Sequence, residues 1–326
     1  MYKLWNSSWR SDAVKLDRKT GIYTDPSLVR EINHKGKYFT VPGPHICQPS
    51  PQRTPVIMQA GTSRAGKAFA AQHAEGIFVS AHSTAGVKKS IADIRAQAAE
   101  LGRDPKSIKV LAKFCPVLGR TQEEADAKYQ DYMQYGDSEG ALALFGGWTG
   151  VDMAPYAGDE ELRYVNCTAI QSYIESLIKT APKINGGKWT KKTLAEHIMG
   201  TAETVADEME RWVEEADVDG FNIAYALMPG TFADVIELLV PELRKRGIFW
   251  IDYAVPGGTY RENLLEKPGQ TEPLPDHPAA KLIWRAPVVG KSSLVDGING
   301  HSFGANGWHK EAEEGEKLDA VSMQFG

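Results

Sequence analysis

The sequence predicts an α/β fold built on a parallel sheet, and three observations carry that expectation. From Pro55 onward, short apolar runs bounded by glycine alternate with longer segments whose apolar residues recur every three or four positions. Residues that start and stop helices fall at the junctions between the two kinds of segment. Of 326 residues, 42% are hydrophobic and 24% charged, which excludes a disordered or collagen-like chain.

Residues 1–53 show no strand–helix repeat. Met1 to Asn6 reads as the middle of an amphipathic helix and lacks the apolar core and small-residue cleavage site of a signal peptide. Lys35 to Val41 reads as one arm of a hairpin, ended by Pro42-Gly43-Pro44, and Pro49-Ser50-Pro51 interrupts regular structure beyond it. Val56 to Ala60 is the first candidate buried strand, closed by Gly61. Ser63 is placed to N-cap a helix running to about Ala74. Gly76 to Ala81 is the second strand. Val87, Ile91, Ile94, Ala98 and Leu101 then define one face of a helix that Gly102 ends.

Ile108 to Leu118 is the third strand-like run, and Thr121-x-x-Glu124 is a capping box opening the next helix. The stretch from about Gly136 to Gly200 interrupts the alternation; it carries one expected helix near Thr168–Lys179 and reads as a lid or binding insertion. Val205, Met209, Trp212, Val213 and Ala216 form a helical stripe. Gly220 to Tyr225 is the fourth strand, followed by a helix from about Thr231 to Lys245 with Val235, Leu238 and Leu239 inward. From Pro268 the chain is rich in Pro, Gly and Ser and reads as an irregular tail that wraps the surface or is disordered. The expected organisation is therefore a catalytic-type domain over residues 1–267, with its insertion at about 136–200, and a tail over 268–326.

A formal charge of −5 gives no electrostatic basis for binding nucleic acid or an anionic membrane. No apolar run approaches the roughly 20 residues that span a bilayer. Cys47, Cys115 and Cys167 stand far apart with no C-x-x-C pair, against a disulfide framework or a cysteine-rich zinc site. The expected setting is the cytoplasm.

The segment richest in chemistry is Gln59-Ala60-Gly61-Thr62-Ser63-Arg64-Ala65-Gly66-Lys67. It joins the carboxyl end of an expected strand to the start of a helix, where free N–H groups and the helix dipole favour an anion. Gly61 allows close backbone approach and Thr62 and Ser63 offer hydroxyls, so a phosphate is the expected ligand. Two other readings attach to the same stretch. Gly61 to Lys67 matches G-x-x-x-x-G-K, with Ala68 where a P-loop places the magnesium-binding Ser or Thr. Gly61-Thr62-Ser63-Arg64-Ala65 approaches the nucleophile elbow G-x-S-x-G, for which Asp252 and His277 are available partners.

Other candidates carry less. His73-x-Glu75 has the H-x-E spacing of zinc deaminases without the P-C-x-x-C that completes it. Ser80, His82 and Ser83 follow the second strand on the ligand-binding face, as contacts or loop caps. Cys115 reads as packed, and Glu214, Glu215, Asp217 and Asp219 as a solvated helix end. Trp148 and Trp189 fall in the insertion, lining a pocket or packing a lid; His301 and His309 lack further ligand spacing.

An ordered series of motifs extends from Lys3 to about Lys281: Lys3-Leu4-Trp5, Asp25-Pro26, His34-Lys35-Gly36, Ser50-Pro51-Gln52-Arg53-Thr54-Pro55, Gln59-Ala60-Gly61-x-Ser63-x-x-Gly66-x-x-Phe69-Ala70, Leu101-Gly102-Arg103-Asp104-Pro105, Gly200-Thr201, Asp219-Gly220-Phe221 and Met228-Pro229-Gly230. The series resembles the flavin-dependent monooxygenases of the nitrilotriacetate, dibenzothiophene-sulfone and pristinamycin-synthase group, within the bacterial luciferase-like superfamily. The resemblance implies a TIM barrel that uses reduced FMN, supplied by a separate flavin reductase, and O2 to oxygenate a small organic substrate. It also implies that Ser63, with Thr62, Gly61 and Ala60, contacts the FMN phosphate; no catalytic residue and no metal site is assigned.

A TIM barrel has eight strands, and four are legible here. They match the second half of the family's barrel, with the long insertion before the last strand, so the chain reads as the C-terminal half of a (β/α)8 barrel lacking its N-terminal portion. Unpaired strand edges then predict self-association, and the chain alone is expected to lack monooxygenase activity. The alternative is an inactive half-barrel relic or an FMN-binding module that depends on a partner.

Overall fold

The structure is a computed structural model; it describes residues 1–79, 84–137 and 198–287, with isolated positions 140, 143 and 147. Residues 80–83, and with them Ser80, His82 and Ser83, lie outside the described residues. So do the expected helix at 168–179, Trp148, Trp189, His301 and His309.

Short elements occupy the lead-in. Helix α1 (Tyr2–Ser7) precedes an antiparallel pair, β1 (Val14–Asp17) and β2 (Ile22–Thr24). Strands β3 (His34–Lys35) and β4 (Thr40–Val41) form a second antiparallel pair. The Lys35–Val41 stretch is therefore a hairpin with its turn inside, and not a single arm. Gly36 begins that turn and donates its N–H to the Phe39 carbonyl at 2.8 Å. Trp9, Ala13 and Leu28 bury a small cluster of their own beneath these hairpins.

The parallel sheet follows. Strands β5 (Met58–Ala60), β6 (Gly76–Val79) and β7 (Lys109–Phe114) alternate with helices α2 (Arg64–His73) and α3 (Thr84–Glu100). Gly102, at φ +73°, turns the chain out of α3, as its position in the sequence predicts.

The third apolar run does not form one strand. It breaks at Cys115, where Pro116 has no N–H to continue the ladder. Strand β8 (Pro116–Leu118) leaves to pair in parallel with β9 (Ile198–Gly200), an element the sequence reading did not foresee. Helix α4 (Gln122–Met133) has Thr121 as its cap, the hydroxyl accepting from Glu124 N at 3.2 Å.

Helix α5 (Ala202–Ala216), capped by Thr201, buries Val205, Met209, Trp212 and Ala216 of the predicted stripe, but Val213, one position round the helix from Trp212, is exposed. Strand β10 (Gly220–Ile223) then joins the sheet, whose order is β10-β7-β6-β5, every pairing parallel.

The expected 231–245 helix is interrupted: α6 (Gly230–Asp234) passes through a π-helical turn at Val235–Leu239 into α7 (Val240–Lys245). Val240 N–H reaches back five residues to Val235 O. Pro241 is the cause, since it can neither donate to the ladder nor fit beneath the preceding turn.

Two clusters hold the layers together. Ile77, Val79, Val110 and Ala112 of the sheet meet Val87, Ile91, Ile94 and Trp212 of the helices. Phe114, Leu118, Val205, Met209, Leu239 and Leu243 form the second, on the β10 side. Helix α8 (Tyr260–Leu265), with a capping box between Thr259 and Glu262, starts the return of the chain towards β5. Residues 268–287 pack into the lead-in: His277 and Ala279 are fully buried, and Asn6 donates to the Ala279 carbonyl at 2.7 Å.

Candidate flavin-phosphate site

Ala60 ends β5 and Ser63 caps α2, so the turn between them sits at the carboxyl edge of the sheet with a helix N-terminus facing outward. Ser63 has extended backbone, and its Oγ accepts from Gly66 N at 3.1 Å. Gly61 holds φ +101°, a conformation that L side chains rarely adopt, and a Cβ placed there would meet nothing within 4 Å. The opening above Gly61 is thus real space, bounded by backbone. Gly66 is constrained in the opposite way: its Cβ would lie 3.0 Å from Gly61 O and 3.2 Å from Ser63 Oγ. A side chain at Gly66 would press the turn outward.

Gln59 Nε2 donates to the Ala60 carbonyl at 2.7 Å, so that acceptor is already occupied. Ser63 is exposed and Thr62 half-buried. The early N–H groups of a helix have no partner within it. Arg64, also exposed, adds a positive charge at the first helical position; the sequence reading passed over it. The four residues expected to meet a phosphate, Ala60, Gly61, Thr62 and Ser63, are brought together on one turn whose chemistry suits an anion.

The competing readings of this stretch lose their geometry. Lys67, which a P-loop would aim at phosphates, forms an ion pair with Asp93 of α3 at 2.7 Å. The elbow reading needs His277 near Ser63. Instead His277 packs at the other end of α2, and ten residues of helix separate the two ends by about 15 Å. Its Nε2–H donates to His73 O at 2.9 Å and its Nδ1 accepts from Ala279 N at 3.1 Å, fixing the neutral tautomer. Burial pushes the His277 imidazole below its ordinary pKa. Asp252 is exposed and its carboxylate accepts from Tyr253 N.

The H-x-E pair is likewise engaged elsewhere. His73 Nδ1 lies 3.1 Å from Tyr2 Oη, and Glu75 binds Arg261. Among the described residues no group of three or more His, Cys, Asp or Glu side chains could hold a metal ion. Burial raises the Cys115 thiol above its usual pKa, as a packed cysteine requires. The acidic α5 end is more structured than a solvated face. Asp217 pairs with Arg95 at 2.8 Å and with Lys106 at 2.5 Å, and Asp219 accepts from Val110 N at 2.9 Å.

Two boundaries of the main sheet differ in character. Beside β10, a cavity of about 540 Å³ is walled by Met209, Val213, Phe221, Val235, Leu239 and Phe249, with Glu210 and Glu214 at its margin. Beside β5, Arg261 and Glu75 form a fully buried ion pair. No local signature in the sequence announces either.

The luciferase-like monooxygenase family model matches residues 3–220. Dimethyl-sulfide monooxygenase of Hyphomicrobium sulfonivorans is 46% identical over 305 residues, spanning 91% of this chain and 62% of the relative. The crystal structure of DmoA from the same organism superposes with a TM-score of 0.76 at 43% identity, covering 90% of this chain and 64% of that one. Long-chain alkane monooxygenase of Geobacillus thermodenitrificans (strain NG80-2) is also 46% identical, over 86% of this chain and 60% of its own. A riboflavin lyase solved with modified FMN and riboflavin superposes with a TM-score of 0.74 at 33% identity, covering 86% of this chain and 62% of that one.

The chain therefore spans about three fifths of the relatives it matches. Its α/β fold and parallel sheet are those of proteins that share its sequence across nearly all its length. The chain belongs to the luciferase-like monooxygenase family.

Proposed function

We propose that the chain carries the flavin-phosphate half of a two-component monooxygenase, in which reduced FMN from a separate reductase and O2 oxygenate a small organic substrate. The observation that carries this reading is the Ala60–Ser63 turn. A left-handed Gly61 stands under open space, next to a capped helix start with exposed hydroxyl and N–H groups. Family membership and the flavin in the riboflavin lyase support it. Reduced FMN supplies the electrons with which O2 is activated. The residues here bind and orient: Ser63 and Thr62 offer hydroxyls to the phosphate, Gly61 lets the backbone approach, and Gly66 leaves room beneath.

The four strands β5, β6, β7 and β10 are read as the second half of an eight-stranded barrel. Among the described residues β5 and β10 each have one partner strand. The apolar cavity along β10 supports self-association, and the chain by itself is read as unable to oxygenate substrate. An FMN-binding module that depends on another polypeptide is the second reading, favoured by that same uncovered flank.

Quenching of FMN fluorescence by the purified 326-residue chain tests the proposal. Saturable quenching that Ser63→Asp abolishes is expected, since a carboxylate would repel the phosphate. Absence of quenching, or quenching indifferent to Ser63→Asp, would refute it. Substrate oxidation by the chain alone with reduced FMN would refute the half-barrel reading.

A further inference from the structure

Strand β5 is three residues long, with one partner strand among the described residues and three register pairs to β6. So short a strand specifies its own register weakly, and a slip of one residue would reverse every side chain and carry Gly61 off the turn. Something else must hold it.

Glu75, 3% exposed, stands just before β6 at the far end of the β5–turn–α2 unit. Its Oε2 accepts from Ile57 N at 3.2 Å, while Glu75 N and Gly76 N donate back to Ile57 O at 2.8 and 3.2 Å. Residues 57 and 75 thereby clasp both ends of the unit whose outer tip is the Ala60–Ser63 turn.

Arg261, with no exposure at all, locks the clasp from the C-terminal segment. Its Nε donates to Glu75 Oε1 at 2.5 Å and its Nη2 to Glu75 Oε2 at 2.9 Å. The guanidinium then reaches the carbonyls of Gln52 (3.0 Å), Thr54 (2.7 Å) and Thr271 (2.6 Å), and Arg261 N donates to the Gln52 side chain at 3.0 Å. Every guanidinium nitrogen is used. The chain leading into β5 is thus fixed at residues 52, 54 and 57.

A buried ion pair adds little net stability compared with well-packed apolar residues. What this one adds is a unique placement of residues 52–57. We infer that Arg261 and Glu75 are positioning residues for the Ala60–Ser63 turn, acting through the register of β5. The inference rests on the flavin-phosphate reading for its functional consequence, and on the hydrogen bonds alone for its structural one.

Hydrogen exchange on the full chain, with FMN titration in parallel, tests both parts. In Arg261→Lys, and in the milder Gln52→Ala, the hydrogen-bonded amides of residues 57–60 should exchange about tenfold faster while those of α3 and α5 hold their rates. The folded variants, assayed well below their melting midpoints, should bind FMN about tenfold more weakly. A uniform rise in exchange across all helices, or unchanged exchange at the hydrogen-bonded amides of 57–60 in a folded variant, would overturn the inference and leave the pair a general stabiliser. Should the unsubstituted chain bind no FMN, the phosphate reading fails while the exchange measurement still decides whether the pair sets the turn.

Discussion

At β5, the outer strand of the sheet is tied down by a buried carboxylate, a buried guanidinium and four backbone groups. At β10, the opposite outer strand is flanked by apolar side chains that stay wet: Val213 is 46% exposed, Ile248 47% and Phe249 41%. Polar groups taken out of water need their partners to be present already, so the β5 boundary must be completed from within the chain. Apolar surface carries no such demand. It can remain exposed, at the risk of association, until something covers it. The buried polar groups beside β5 find their partners within the chain; the apolar flank of β10 invites a neighbour.

The largest expected effect breaks the β5 side. Glu75→Ala would leave the Arg261 guanidinium buried without its counter-charge, at a cost of about 3–5 kcal/mol. Urea unfolding followed by circular dichroism measures it; an unchanged midpoint would mean that the pair is not buried as described. On the β10 side, Val213→Asp should leave folding intact but weaken self-association by about tenfold, equivalent to about 1.4 kcal/mol. Light scattering across a dilution series reads the change.

Smaller effects sharpen the contrast. Ser63→Ala removes the α2 cap, with an expected loss of about 1 kcal/mol and a weaker hold on FMN; titration and thermal melts separate the two. The smallest effect concerns pH. Burial lowers the folded-state pKa of His277, and of His73 beside it, below the ordinary value of 6.5. Above that value both states are neutral and stability is flat. As pH falls through about 6.5, the unfolded chain takes up protons that the folded one refuses, so stability declines until the folded-state values are reached. His277→Gln should flatten the decline between pH 7 and 5, measured by the urea midpoint at each pH.

Much of the sheet was legible because its signals are local. Val56 to Ala60 closes on Gly61, Thr121 sees Glu124 three residues on, and Gly102 stands two residues past the end of its helix. The Ala60–Ser63 turn was legible for the same reason: glycine, hydroxyls and helix start fall within four residues. The break at Cys115 and the partner strand at Ile198–Gly200 were not, since an apolar run does not reveal which neighbour each part will choose. The β3–β4 turn was missed because Lys37 to Phe39 carry strand-like residues through it. Pro241 sat in plain view, yet whether a helix kinks, ends or bulges at proline depends on packing around it. Arg261 and Glu75 are 186 residues apart, and nothing adjacent to either marks the other.

That separation also has a bearing on how the chain comes into being. A ribosome releases Glu75 long before Arg261 has been synthesised, so while the next 186 positions are made the nascent sheet carries an acid waiting for its counter-ion. Contacts this distant in sequence are slow to form and late to report. Until residue 261 clears the exit tunnel, the first strand of the sheet has no lock, and the Ala60–Ser63 turn it carries is not yet held in place.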